Sequence, residues 1–157
     1  MMGEYFRLGL TVLLAALLIC AAVTDLRSRI ISNRLNIAIA LLAPVYWIAC
    51  ALPLWPGMAI QLALAAAVFT LFALLFSLGW MGGGDVKLLA ALALWFPPMA
   101  VLSMLVLMAM LGGAVTIATV VHHRMTRRLG QPEIPYGVAI VLAALWLVGE
   151  RYINQFA

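Results

Sequence analysis

Two carboxylates stand in otherwise apolar surroundings. Asp25 and Asp85 are the only aspartates in the 157-residue chain. Asp85 follows three glycines in the run Met81-Gly82-Gly83-Gly84-Asp85-Val86-Lys87, between two segments that read as membrane helix. Aspartate is among the costliest side chains to place in hydrocarbon, so an ionisable group there marks a functional site and calls for a partner. Asp25 is the partner the sequence offers. Two carboxyl groups that share one proton can hydrolyse a peptide bond, the ionised member taking a proton from water while the protonated member polarises the scissile carbonyl. That chemistry requires no metal, no nucleophilic Ser or Cys and no organic cofactor.

The elements that must position this pair are membrane helices. With 68% hydrophobic and 9% charged residues and a mean hydropathy of +1.18, the chain could not cover the surface of a water-soluble domain. The expected fold is all-α, a polytopic bundle of six transmembrane helices forming a single domain over residues 1–157. Helix one is expected from about Tyr5 to Thr24 as a retained helix, because Glu4 and Arg7 cancel where a signal peptide would start positive. The polar connection from Asp25 to Arg34 follows, in which Ser32 or Asn33 can cap helix two. Helix two runs to about Leu52, and the turn Pro53-Leu54-Trp55-Pro56-Gly57 leads into a third run, Met58 to Leu78. Both are long enough for a hydrocarbon core, which takes about 20 helical residues.

Helix four is short. Val86 to Phe96 is 11 residues before Pro97-Pro98, which at about 1.5 Å per residue spans about half of a bilayer core. With Trp95 and Phe96 at the far interface, Asp85 lies within the membrane, and the glycines before it form a cavity-lining turn, since non-helical backbone at that depth must be surrounded by protein or water. Met99 to Val121 is the fifth run, with Ala109 and Gly113 at a spacing that suits close helix packing in lipid. Pro135-Tyr136-Gly137 opens a sixth that ends near Gly149, proline fitting a first helical turn.

The cations set the orientation. Alternating the connections between the two sides puts Arg27, Arg29, Arg34, Lys87, Arg124, Arg127 and Arg128 on one side and leaves Arg7 and Arg151 on the other. The first side is therefore cytoplasmic, with both termini external. Asp25 then ends helix one and Asp85 begins helix four on the same cytoplasmic face. A helix N-terminus favours a carboxylate and a C-terminus disfavours it, which makes Asp85 the expected base and Asp25 the expected acid.

The remaining polar residues have plainer roles. Dispersal of the basic residues over three connections speaks against nucleic-acid binding despite the net charge of +4. Cys20 and Cys50 lie in apolar runs without a second cluster and read as packing residues. His122 and His123 diverge as neighbours and lack a third ligand, so they read as a solvated basic loop. Glu133 and Glu150 fall in a loop and on the opposite face. Lys87 reads as a topology anchor rather than a substrate contact, while Trp55, Trp80, Trp95 and Trp146 suit the membrane interfaces.

The sequence resembles the prepilin peptidase (type IV leader peptidase) family of Gly-x-Gly-Asp intramembrane aspartyl proteases at three places. Asp25 with its basic followers and Ile31-Ser32-Asn33 is similar to the family's first catalytic aspartate and its Ile-Pro-Asn sequel, with Ser32 where proline is common. Gly82-Gly83-Gly84-Asp85-Val86-Lys87-Leu88-Leu89-Ala90 resembles the Gly-x-Gly-Asp motif and its continuation, and Pro135-Tyr136-Gly137 the Pro-Tyr-Gly stretch near the family's end. The resemblance implies that Asp25 and Asp85 are the catalytic pair, with Gly82, Gly83, Gly84, Lys87 and Asn33 binding substrate or shaping the site. Paired zinc-binding cysteines of larger members have no counterpart, which is similar to the short, peptidase-only form associated with Flp-type (tight adherence) pili. The implied substrate is a prepilin-like precursor whose basic leader is cut off just before its apolar helix, at the inner membrane of a bacterium. Two readings from other classes compete: a proton-coupled transporter component using the same aspartates as a relay, and a non-catalytic pilus or secretion assembly subunit. A relay calls for polar residues continuing across the membrane, and helix four beyond Lys87 is wholly apolar.

Overall fold

The computed structural model describes residues 2–125 and 136–156. The described chain is all-α, with six helices: α1 (Met2–Ser28), α2 (Asn33–Ala49), α3 (Ala59–Ser77), α4 (Gly83–Ala93), α5 (Pro98–Met125) and α6 (Tyr136–Phe156). A short kinked turn, Leu54–Met58, in which Trp55 is extended (φ −127, ψ 131), leads into α3. Three helical stretches, Met2–Ser28, Leu54–Ser77 and Pro98–Thr119, are long and apolar enough to cross a membrane, and Asn33–Ala49 is a shorter apolar helix. Large hydrophobic side chains on their outer faces are exposed, including Ile48, Leu71, Val106 and Ile117. That distribution suits a bundle whose solvent is lipid. Thr126–Pro135, with Arg127, Arg128, Glu133 and Pro135, lies outside the described residues.

Local sequence explains the helix ends. Ser32 caps α2, its side chain accepting from the Leu35 amide at 3.3 Å, so the serine that stands in place of proline supplies the cap. α1 continues one turn past the expected Thr24 to Ser28, and Arg29 then adopts φ 55. Helices commonly end in that left-handed region, although glycine is its usual occupant. α4 begins at Gly83 rather than Val86, with Gly82 as N-cap in extended conformation. Two of the three glycines therefore form the first helical turn instead of a separate loop. Glycine is a poor helix former by about 1 kcal/mol, and the close contacts described below are what this turn gains in return.

α4 is the centre of the bundle. It packs against α2, α3, α6 and, more sparsely, α5, while α1 lies on α2 and α6, and α5 on α6. Seven of its 11 residues are buried, and Leu88, Leu89 and Leu92 are fully enclosed. At about 1.5 Å per residue α4 is about 16 Å long, so its far end stops inside the bundle. Two indoles hold that end. Trp47 Nε1 of α2 donates to the Leu94 carbonyl at 2.7 Å, and Trp95 Nε1 donates back to the Ile39 carbonyl of α2 at 2.9 Å. The Trp95 ring also lies 5.0 Å from that of Tyr46. Trp95 and Phe96 are accordingly buried among these helices, whereas Trp55, Trp80 and Trp146 are exposed.

α3 packs on α4 but has little or no packing against α2 or α5 among the described residues. Two lateral slots result, one on each side of α3.

Candidate active site

Asp25 projects from the last turn of α1, and Asp85 from the first turn of α4. Both are buried, at 5% and 9% exposure, whereas the other described carboxylates, Glu4 and Glu150, are exposed. They are close enough for the charge on Asp25 to act on Asp85. Both also meet helix N-termini. The Gly82 amide serves Asp85 within its own helix start. Asp25 reaches across to α6, where the Val138 amide donates to its Oδ2 at 3.1 Å and the Gly137 amide also contributes. Free amides at helix starts are natural carboxylate partners. Asp25 is thus at the C-terminal end of its own helix and the N-terminal end of another, so helix ends do not divide the pair into a base and an acid as the sequence suggested.

Glycines lie against each carboxylate. A Cβ at position 137 would stand 2.8 Å from both Cγ and Oδ2 of Asp25 and 2.8 Å from Ile31 Cδ1. A Cβ at position 82 would lie 3.0 Å from Asp85 Oδ2. Position 84 is closed by a third contact, since a Cβ there would sit 3.2 Å from the Ile31 carbonyl oxygen and 3.2 Å from Ile31 Cβ. Gly83 faces elsewhere, onto the Phe76 ring of α3 at 3.3 Å. Ile31 therefore joins the two halves. Its backbone covers the glycine before Asp85, and its side-chain tip reaches the glycine beside Asp25.

Two further residues complete the surroundings. Asn36, 4% exposed, donates from Nδ2 to the Gly84 carbonyl at 3.1 Å and so ties α2 to the first turn of α4. Arg29 is near enough for its charge to act on Asp25. Lys87 and Asn33 meet each other, Nζ donating to Oδ1 at 2.8 Å in an exposed position. Residues two apart on a helix point to different faces, and Lys87 accordingly lies around α4 from Asp85.

Of the sequence candidates, Asp25, Asp85, Gly82 and Gly84 gather at one end of the bundle, Gly83 supports the turn from α3, and Lys87 with Asn33 forms a separate polar pair. Gly137, Ile31 and Asn36 are site neighbours that sequence reasoning did not single out. For Gly137 and Ile31 the signal was present, in the Pro-Tyr-Gly and Ile-Ser-Asn stretches. For Asn36 it was only a polar residue one turn into an apolar helix.

Two buried carboxylates with backbone donors and glycines against them have the chemistry to activate a water molecule. Neither a curated protein nor a solved structure gives a match to the chain. The model of the type IV leader peptidase family matches residues 12–117, a stretch that runs from α1 into α5 and contains both aspartates and the glycine turn. On that match, the chain belongs to the type IV leader peptidase family.

Proposed function

We propose that the protein is an intramembrane aspartyl endopeptidase that removes the short basic leader from Flp-type prepilins at the cytoplasmic face of the bacterial inner membrane. The observation that carries this reading is the burial of the chain's only two aspartates at one end of the bundle, joined through Ile31 and backed by glycines. The family implies a protease and a prepilin-type substrate.

One carboxyl is protonated and the other ionised. The ionised member takes a proton from water as the water oxygen bonds to the scissile carbonyl carbon, and the protonated member donates to the carbonyl oxygen. Collapse of the tetrahedral intermediate returns a proton to the leaving amine, breaks the C–N bond and restores the shared proton. The roles belong to the pair, since strongly interacting groups titrate jointly. Gly82, Gly84 and Gly137 leave backbone room beside the acids, while Asn36 and Ile31 act as positioning residues. The basic connections support a cytoplasmic position for the acids, where the leader's positive charge also suits two carboxylates.

The slot between α3 and α5, about 750 Å³, supports a seat for the apolar helix that follows the cleavage point. Phe72 and Leu75 line one wall, and Ala109, Gly113 and Thr116 the other; Met81 and Tyr136 close the end next to Gly82 and Gly137. Among the described residues, nothing lies within 4 Å of a Cβ placed at Gly113. The small-residue spacing on α5, expected to pack a helix of the chain itself, is thus open to a helix from outside.

Co-expression of a pilin precursor with wild type, Asp25→Asn and Asp85→Asn tests the reading. Leader-less product should form with wild type alone. Cleavage persisting in either variant, with the protein present in the membrane, would remove the two-aspartate mechanism.

A further inference from the structure

We propose that the slot between α2, α3 and α4, on the other side of α3, is a binding site for one anionic phospholipid. The slot encloses about 650 Å³, within the range of about 300–1,000 Å³ typical of small-molecule pockets. Its floor is the Lys87, Ala90, Ala91 and Leu94 face of α4, residues at helical spacing, and its walls include Ala40 of α2 and Phe69 of α3. That floor lies around the helix from Asp85, so the slot is distinct from the aspartate pair.

Its polarity is concentrated at one end. Asn33 and Asn36 stand in the first turns of α2 and Lys87 near the start of α4. Lys87 uses one of its three N–H donors on Asn33, which leaves a cation with donors to spare at the mouth. Asn36 lines the slot but is 4% exposed, with its Oδ1 enclosed by the protein, so the charge an occupant meets at this end is that of Lys87.

An occupant must therefore bring an anionic group for Lys87 and an apolar chain for the remainder. A phosphate diester attached to an acyl chain meets both conditions. A choline headgroup offsets the phosphate with a cation of its own, and free phosphate lacks the chain. Because Asn36 lines the slot and also holds the Gly84 carbonyl, the occupant borders the turn that carries Asp85.

Native mass spectrometry of the full chain in detergent, titrated with phosphatidylglycerol or phosphatidylcholine, reads the site without reference to proteolysis. One phosphatidylglycerol should be retained per chain, with a preference over phosphatidylcholine of roughly fivefold, the bias one lysine confers at a membrane surface. Lys87→Gln should remove the preference. Ala66→Trp, which fills the slot from an exposed position on α3, should abolish retention of both lipids. Equal retention of the two lipids by wild type, retention undiminished in Ala66→Trp, or displacement of the lipid by an apolar pilin-type peptide overturns the proposal. The wild-type comparison needs no variant, and loss of precursor cleavage would leave these outcomes unchanged.

Discussion

Gly137→Ala is the sharpest test of the site, because position 137 lies outside the stretch that the family model matches and matters only through the geometry. The new Cβ would stand 2.8 Å from Asp25 Cγ and Oδ2, where ordinary contact begins at 3.4 Å, so 3.4 − 2.8 = 0.6 Å must be absorbed. Ile31 Cδ1, also at 2.8 Å, is a flexible tip and can swing away. Asp25 has less freedom, since retreat from α6 stretches its 3.1 Å hydrogen bond from Val138. Overpacking of this kind costs about 1–3 kcal/mol, which a folded bundle can survive. Activity is more sensitive, because a misplacement of about 1 Å in reacting groups can cost about 10²-fold; a shift somewhat over half that size should lower the cleavage rate by about 10-fold or more. Single-turnover cleavage of a purified precursor measures the rate, with thermal unfolding as the check on folding. Gly149→Ala is the control, in the same helix with nothing within 4 Å of the new methyl. Adding Ile31→Val to Gly137→Ala removes the Ile31 clash but not the Asp25 clash, so the double variant should stay slow. A wild-type rate in Gly137→Ala, or recovery in the double variant, refutes the argument that the glycine exists to seat Asp25.

Gly113→Leu should leave folding intact, since the position is open, and should weaken cleavage of a full precursor while sparing a short peptide that ends soon after the cleavage point; equal loss on both substrates would remove the α3–α5 seat. Gly82→Ala should slow cleavage less than Gly137→Ala, because its Cβ meets Asp85 Oδ2 at 3.0 Å and a carboxylate oxygen can rotate; the comparison is read in the same single-turnover assay. Trp47→Phe should lower stability by about 0.6–2 kcal/mol, because Leu94 follows α4 and its carbonyl then loses the donor at 2.7 Å; thermal unfolding in detergent reads the change, and an unaltered midpoint would mean that the indole bond holds nothing.

How much of this was legible beforehand depends on the range of the interaction. Membrane helices announce themselves through local apolar runs, and both aspartates through the cost of a charge within such runs, so the six-helix bundle and the pair were readable from Asp25, Asp85 and the shortness of Val86 to Phe96. Helix starts were less so. Gly83 and Gly84 look like loop residues by propensity, yet tertiary contacts with Phe76 and Ile31 make helical glycines the residues that fit. The helix-end argument for acid and base was incomplete for a related reason. It considered each aspartate against its own helix, whereas Asp25 also meets the Val138 amide, 113 positions away on α6.

That long-range contact changes what the third motif means. Read alone, Pro135-Tyr136-Gly137 is a helix start, and any residue that tolerates a first turn would serve after the proline. In the folded chain, Gly137 presents its amide and its empty face to Asp25 while Tyr136 closes the α3–α5 slot. One helix start thus touches both the acid and the proposed substrate seat, so α6 can couple occupancy of that seat to the position of Asp25. Asp85 has a comparable arrangement on the other side, where Asn36 holds Gly84 and opens onto the α2–α3 slot. Each aspartate is therefore seated by a helix start that also borders a lateral slot. Perturbing either slot should alter the acids through Tyr136 or Asn36 before it alters the core that α4 forms with Leu88, Leu89 and Leu92.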